Sequence, residues 1–291
     1  MRIGVLGNDG SWYVERLCTT ALEMGHAAVP LQFPTLTAGV LRNSSQLRFG
    51  DHCLTDLDAI IVRTMPPGSL EQVVFRMDAL AVAQSLGVRI VNSPKAIECA
   101  VDKFLTTQKL AAAGLPVPDT IVCETAEAGL EAFENLGGDV VVKPVFGAEG
   151  RGIMRVSHPE LALRTFRTLE RLQATLYLQR FVNSTSGDHR ILLLDGRPLA
   201  AMQRFPAVGD FRANIAQNGR SEPWQPDSHA VELSLRAAEV TGCTFAGIDL
   251  MYDDSGQAFV IEVNAVPGWR AIEKTCDINV ARAFLNWIST T

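Results

Sequence analysis

Two carboxylates and an amide stand where apolar side chains belong. In Phe259-Val-Ile-Glu-Val-Asn-Ala-Val-Pro-Gly268, Glu262 and Asn264 are two residues apart. A strand places them on one face and Phe259, Ile261 and Val263 on the other. The preceding run, Phe245 to Tyr252, carries one carboxylate, Asp249, flanked by Ile248 and Leu250. Asp253-Asp254-Ser255-Gly256 between the runs is a turn cluster. Closing the hairpin on Ser255-Gly256 sets Asp249 directly opposite Glu262, with Cβ atoms roughly 5 Å apart. Carboxylates that close repel each other unless a proton or a cation lies between them. An all-oxygen set of this kind suits Mg²⁺, which keeps its remaining positions for water and phosphate oxygens. The alternative is a structural hairpin whose polar residues face solvent.

Asp139-Val-Val-Val-Lys143-Pro144 is a strand that ends in a lysine. Lys143 shares a face with Val141, so its ammonium sits at a partly buried strand end and wants an anion. The loop Val145 to Ile153 follows, with Gly147, Gly150 and Gly152 able to turn backbone N–H groups inward around phosphates and Arg151 at its tip. It is not a Walker A loop, since it lacks the closing Gly-Lys-Ser/Thr and leads into a strand; a plain turn is the alternative. Gln179, in the strand Leu176 to Val182, offers an amide that can read an adenine edge. Asp188 can accept from a ribose hydroxyl or simply close the turn before the next strand, and pattern alone does not separate Arg190 from His189. The loop Arg204 to Asn214 carries Arg204 and Arg212. Their planar forks match phosphate and carboxylate oxygens, although solvated loop charges are common.

These residues need a scaffold, and the first 95 residues supply alternating strand and helix signals. Ile3–Leu6, Ala27–Leu31, Ala59–Val62 and Val88–Val91 read as strands, with helices over Tyr13–Met24 and Leu70–Leu86. That alternation predicts a parallel sheet covered by helices. Gly4, Gly7 and Gly10 resemble a dinucleotide fingerprint without its spacing, so tight packing at a strand-to-helix turn is their expected use. Ser93-Pro94 opens a helix through Ala113, stopped by Gly114 and Pro116. Strands Thr120–Cys123, Val140–Lys143, Ile153–Val156 and Leu176–Phe181 then alternate with helices near Ala126–Leu136 and Leu161–Leu172. The last part reads as strands 189–194 and 198–204, a loop-like stretch 206–229, a helix 230–241, the carboxylate hairpin and a helix Ile278–Ile288.

Composition narrows the classes. The 291 residues are 47% hydrophobic and 20% charged, an ordinary globular balance with room for two or three packed units. A net charge of -6 argues against a general nucleic-acid binder, which must neutralise phosphates. The six cysteines contain no Cys-x-x-Cys pair, as expected of free thiols in a reducing compartment. No stretch reaches the roughly 20 apolar residues of a membrane span, and the apolar run after Met1 is too short for a secretion signal. A cytoplasmic protein is expected.

Lys143, the loop Gly147 to Gly152, Gln179, Asp188, Arg212-Ala213-Asn214, Asp249 and Glu262-Val-Asn264 follow the order of the ATP-grasp enzymes. Gly209-Asp-Phe-Arg-Ala-Asn214 and Glu262-Val-Asn-Ala-Val-Pro-Gly-Trp-Arg-Ala-Ile-Glu-Lys274 resemble the RimK-type alpha-L-glutamate ligase branch. The resemblance spans nearly the whole chain and is strongest from residue 94 onward. It implies an α/β fold, α+β in parts, of three units: an N-terminal parallel sheet (1–95), a central unit (96–182) and a C-terminal unit (183–291). The last two form a nucleotide-clasping region. It implies that Lys103, Lys143 and the glycines 147, 150 and 152 contact ATP phosphates. Gln179, with backbone at Arg180 and Val182, holds adenine, and Asp188 takes the ribose. Arg212, Ala213 and Asn214 line the phosphate side, and Asp249, Glu262 and Asn264 bind two Mg²⁺, with Mn²⁺ as a substitute. Lys103 has ordinary surface periodicity on its helix, so its place rests on the resemblance alone. The position after Gln179 is usually acidic in this branch and is Arg180 here, which leaves the main-chain contacts.

The implied chemistry is ligation of a carboxylate to an amine. ATP converts the acid to an acyl phosphate, the amine attacks, and cations stabilise the charge that develops. Arg190, Arg204 and Arg212 are the candidate catalytic cations. Arg270 and Arg204 are the candidate substrate residues, expected to make an electropositive pocket for a substrate with several carboxylates. The amino acid added is then L-glutamate and the acceptor a small molecule, coenzyme or peptide, with no nucleic acid or membrane involved and a homo-oligomer compatible. Pro267-Gly-Trp269-Arg270 is more similar to ligases acting on coenzymes than to those modifying a ribosomal protein tail. The competing expectations are a lysine-type or amino-carrier substrate, or an ATP-binding regulatory protein without turnover.

Overall fold

Short apolar runs set the first sheet of the computed structural model, which describes residues 1–147, 151–184, 186–206 and 220–290. Strands β1 (Arg2–Leu6), β2 (Ala27–Leu31), β6 (Ala59–Val62) and β7 (Arg89–Val91) pair in parallel in the order β2-β1-β6-β7. Helices α1 (Trp12–Glu23), α2 (Leu70–Ser85) and α3 (Pro94–Val101) alternate with them. The glycines of the first turn serve packing: a Cβ at Gly7 would lie 2.3 Å from Val14 Cγ2, and one at Gly4 2.5 Å from Leu31 Cδ1. The region between β2 and β6 holds a small antiparallel sheet, β3 (Leu36–Leu41), β4 (Ser44–Phe49) and β5 (His52–Cys53), which the sequence pattern did not predict.

Two compact units divide the chain. One comprises Met1–Glu98 with Gly242–Phe245 and Ala265–Thr291, and the other Cys99–Thr241 with Ala246–Asn264. The first therefore takes its core from distant parts of the sequence. Phe245, Trp269, Phe284, Leu285 and Ile288 are buried in it along with Ile3, Leu17, Ile60 and Leu80. Helix α9 (Val280–Thr290) matches the helix expected over Ile278–Ile288, and α8 (Arg270–Cys276), which follows Pro267-Gly268, was not expected. Asn92 ties these returns down. Its Nδ2 donates to the carbonyls of Phe245 and Ala265, and its Oδ1 accepts from the N–H groups of Thr244 and Phe245.

The second unit begins at Cys99, in the last turn of α3, and its first complete helix is α4 (Lys103–Ala112). The helix expected over 94–113 is broken because Asp102 turns extended and caps α4, its carboxylate accepting from Leu105 N–H at 3.0 Å. Strands β8 (Thr120–Cys123), β9 (Val140–Lys143), β10 (Met154–Val156) and β11 (Leu176–Arg180) form an antiparallel sheet in the order β10-β9-β11-β8. Helices α5 (Ala126–Asn135) and α6 (Pro159–Arg171) cover its apolar face around Val140, Val142, Leu176, Leu178, Phe133 and Phe166. A second sheet, β14-β13-β12-β15-β16, joins β12 (Asp188–Leu194), β13 (Arg197–Phe205), β14 (Arg220–Pro223), β15 (Phe245–Tyr252) and β16 (Ala258–Asn264). Helix α7 (Ser228–Thr241) starts where Asp227 accepts from Ala230 N–H, so β14 and the first turn of α7 lie inside the stretch expected to be loop. None of the six cysteines is joined in a disulfide. Among the described residues no helix is long and apolar enough to cross a membrane.

Candidate functional site

Asp249 of β15 does pair with Glu262 of β16, by a different route from the expected two-residue turn. Tyr252 pairs with Ala258, so residues 253–257 form the loop, pinned by Asp253 Oδ1 accepting from Ser255 and Gln257 N–H. The register then shifts between Asp249 and Leu250, because Val260 pairs with Leu250 and Glu262 with Asp249. Ile261 is the bulged residue. The bulge corrects the facing expected for Phe259. It pairs with Met251, two residues from Asp249, and so lies on the Asp249–Glu262 face rather than with Val263.

The cations that keep these carboxylates apart belong to the chain itself. Arg190 of β12 grips Asp249 with two parallel bonds, Nε to Oδ1 at 2.7 Å and Nη2 to Oδ2 at 2.6 Å. Arg204 of β13 is 3.0 Å from Asp249 and makes a second fork onto Asp188, its directly opposite partner on β12. Burial alone would raise the carboxyl of Asp249, but the two guanidinium charges outweigh it and hold the group at about 2. Asp188 has Arg204 as its main partner, and there burial wins and raises it. Alternation sends His189 to the other face, between Trp224 and Tyr252. Burial, then Arg204, pushes its imidazole down to about 4, so it is neutral near pH 7.

Lys143, Gln179 and Tyr177 share the face opposite the apolar core of the first sheet in this unit, through the pairs Lys143–Tyr177 and Val141–Gln179. Lys143 Nζ donates to Gln179 Oε1 at 2.6 Å. Gln179 Nε2 donates to Thr120 Oγ1 and Tyr177 Oη, and Tyr177 Oη meets Thr107 Oγ1 at 2.8 Å. The amide of Gln179 is thus engaged in orienting the lysine. Burial pushes Lys143 down to about 8, against the pull of Glu262. Lys103 overturns its surface reading. As the first residue of α4 it is turned inward, its side chain 12% exposed, with Nζ donating to Gly147 O at 2.7 Å and 3.6 Å from Glu262.

Beside this cluster lies a cleft of about 230 Å³ lined by Arg180, Phe181, Val182, Asn183, Asp253, Asp254, Ser255 and Phe259. Arg180 reaches Asp119 at 3.0 Å. Phe259 is the residue that sequence reasoning missed here, since nothing in the local pattern announces the bulge that turns it inward. Gly152 has φ +73, a turn conformation that favours glycine. Gly150, Arg212, Ala213 and Asn214 lie outside the described residues. Arg270 belongs to the first unit, where its guanidinium stands over Trp12 at 5.4 Å. The donor set of Asp249, Glu262 and Asn264 is two carboxylates and an amide, all oxygen, and fits a hard cation. Three bonds to Asp249 leave a carboxylate with about four lone-pair sites room for one more partner. Among the described residues no group of three or more His, Cys, Asp or Glu gathers as a metal cluster.

Residues 100–288 match the family described as the RimK-like ATP-grasp domain. The chain is 31% identical to the tetrahydromethanopterin:alpha-L-glutamate ligase of Methanosarcina acetivorans, over 99% of this chain and 98% of that one. It is 28% identical to a ribosomal protein bS6–L-glutamate ligase of Escherichia coli, over 99% and 95%. In fold it is similar to the ATP-grasp ligase PsnB complexed with a phosphomimetic variant of its minimal precursor, Mg and ADP. The TM-score is 0.78 at 19% identity, covering 99% of this chain and 97% of that one.

Proposed function

This chain belongs to the RimK-like ATP-grasp family of carbon–nitrogen-bond-forming ligases, and from that premise we propose that it uses ATP and Mg²⁺ to join L-glutamate to a small-molecule, coenzyme or peptide acceptor. The observation that carries this reading is the meeting of two lysines with the carboxylate hairpin: Lys103 stands 3.6 Å from Glu262. Lys143 also feels the charges of Glu262, Lys103 and Asp249. Cations suited to phosphate oxygens and oxygens suited to Mg²⁺ therefore share one place within the second unit. The named relatives of similar length add glutamate, and the PsnB complex carries Mg and ADP.

A carboxylate does not react with an amine at neutral pH, so the acid is first phosphorylated and the acyl phosphate is then attacked. Lys103 and Lys143 hold phosphate oxygens, with the backbone of Gly147, Gly150 and Gly152 around them. Gln179 keeps Lys143 in its rotamer. Phe259 gives the base an apolar wall beside the main chain of Arg180 and Val182, and Asp188 stays the ribose partner. Asp249, Glu262 and Asn264 hold Mg²⁺, which when bound neutralises phosphate charge as it develops. Arg190 and Arg204 fix the orientation of Asp249. Arg212, with Ala213 and Asn214, stands as the cation that stabilises the phosphoryl centre and the oxyanion, and Arg270 as a residue for the carboxylated substrate. The division into 1–95, 96–182 and 183–291, a cytoplasmic setting, a second Mg²⁺ and replacement by Mn²⁺ belong to the same reading.

The test is ADP release measured across a panel of acids and amines. Turnover that requires L-glutamate and an acceptor together supports the reading. Turnover with lysine-type pairs moves the substrate class, and nucleotide binding without turnover on any pair leaves a regulatory protein.

A further inference from the structure

The first unit contains a buried cation with no anion opposite it. Arg63 directly follows β6 and is 7% exposed. Its Nη2 donates to the Pro267 carbonyl at 2.6 Å. Its guanidinium lies over the rings of Trp269 at 4.1 Å, Tyr13 at 5.1 Å and Phe245 at 5.9 Å. Among the described residues no carboxylate pairs with it, and its Nε is buried without an acceptor. Trp269 Nε1, in the same cage, is buried without an acceptor as well. Aromatic faces compensate a cation from above and below, but they leave its in-plane N–H groups unmet. Burial pushes the guanidinium down to about 9, so it remains charged at neutral pH.

Its place in the fold is equally specific. In the order β2-β1-β6-β7 the chain leaves β1 for one side and later fills the other, so the carboxyl ends of β1 and β6 flank a topological switch point. Open parallel sheets bind ligands at that crevice. Arg63 sits there, its N–H donating to Leu6 O at 2.7 Å. Helix α1 starts beside it, and its N-cap Ser11 makes no side-chain capping bond, so the first N–H groups keep their positive end open. Tyr13 of that first turn is one wall of the cage. Gly268 closes another side: a Cβ there would lie 2.9 Å from Tyr13 Oη.

We propose that Arg63, the N-terminus of α1 and Trp269 Nε1 form a carboxylate-binding subsite in the N-terminal unit, which takes a carboxylate of the acceptor or of the incoming amino acid. The inference rests on the ligase reading above and deepens it by naming where an acid group is held. The in-plane fork of arginine matches two carboxylate oxygens, and the indole N–H supplies a further donor. An Arg63 that merely holds the Pro267–Trp269 turn would alter stability and leave carboxylate affinity alone.

The experiment uses the full chain with Mg²⁺ and the non-hydrolysable nucleotide AMPPNP, titrated calorimetrically with L-glutamate and separately with the dipeptide Glu-Glu. The parent should bind at least one of them. Arg63→Lys should weaken that binding about tenfold and Arg63→Met about thirtyfold or more, with AMPPNP affinity unchanged. Trp269→Phe, which keeps the ring and removes the donor, should weaken it about tenfold. A loss confined to L-glutamate assigns the subsite to the amino acid, and one confined to Glu-Glu assigns it to the acceptor. Parent-like affinity for both probes in Arg63→Lys and Trp269→Phe overturns the inference, as does a parent that binds AMPPNP and neither probe. A parent that fails to bind AMPPNP removes the ligase reading itself, and the subsite with it.

Discussion

Lys143 ties affinity and stability to pH in opposite directions. Burial holds it at about 8 in the folded chain, against an ordinary 10.5. On the proposed reading its charge grips phosphate, so kcat/KM for ATP should fall about tenfold per pH unit above pH 8. Lys143→Arg, which stays charged, should lose that limb even at lower activity. For stability the sign reverses: between about 8 and 10.5 the unfolded chain binds more protons than the folded one, so stability rises with pH across that window. Denaturant midpoints at pH 7.5 and 9.5 for the parent and Lys143→Met check this, since the variant should show a smaller gain. If Glu262 holds Mg²⁺ as proposed, Glu262→Gln should lower kcat/KM by about 100-fold or more, with unfolding unchanged because the side chain is 30% exposed. Lys143, Asp249 and Glu262 were legible in the sequence because a charge inside an apolar strand run is costly unless something answers it. Lys103 and Arg63 were not. The first looked like one more residue of a long surface helix, and the second carries only the signal of an arginine directly after the strand Ala59–Val62.

At the scale of elements, a single capping carboxylate decides where Lys103 points. Asp102 ends α3 and starts α4, which makes Lys103 the first residue of a new helix. Asp102→Ala should cost about 1 kcal/mol and weaken nucleotide binding by freeing Lys103, while Asp102→Asn, still a capping residue, should restore most of both. Thermal unfolding and AMPPNP titration read the two effects separately. The parallel sheet and the helices around it were readable because their apolar periods are complete. The sheet β3–β5 was not, because β3 and β4 bury little beyond Leu36, Leu47 and Phe49 and so lack the alternation that marks a strand. The hairpin register came out right although two of its details did not: a longer loop and the bulge at Ile261 compensate each other. The facing of Phe259 and Val260 reveals the difference.

At the scale of the whole molecule, the first unit closes only with sequence from the far end. Its core includes Phe245, Trp269 and Phe284, and Asn92 spends all its hydrogen-bonding capacity on Thr244, Phe245 and Ala265. A fragment of residues 1–98 should therefore lack cooperative unfolding by circular dichroism. In the full chain Asn92→Ala should cost about 3 kcal/mol, because it strands several buried backbone groups at once. That interleaving has a consequence for biosynthesis. A ribosome adding about 5–20 residues per second needs roughly 10 to 40 s to make residues 99–291. For that time the nascent β1–β7 segment has its apolar strands finished and their cover still unmade. The interval is long enough to expose the emerging segment to chaperones until Phe284, Leu285 and Ile288 of α9 have been made and can cover it.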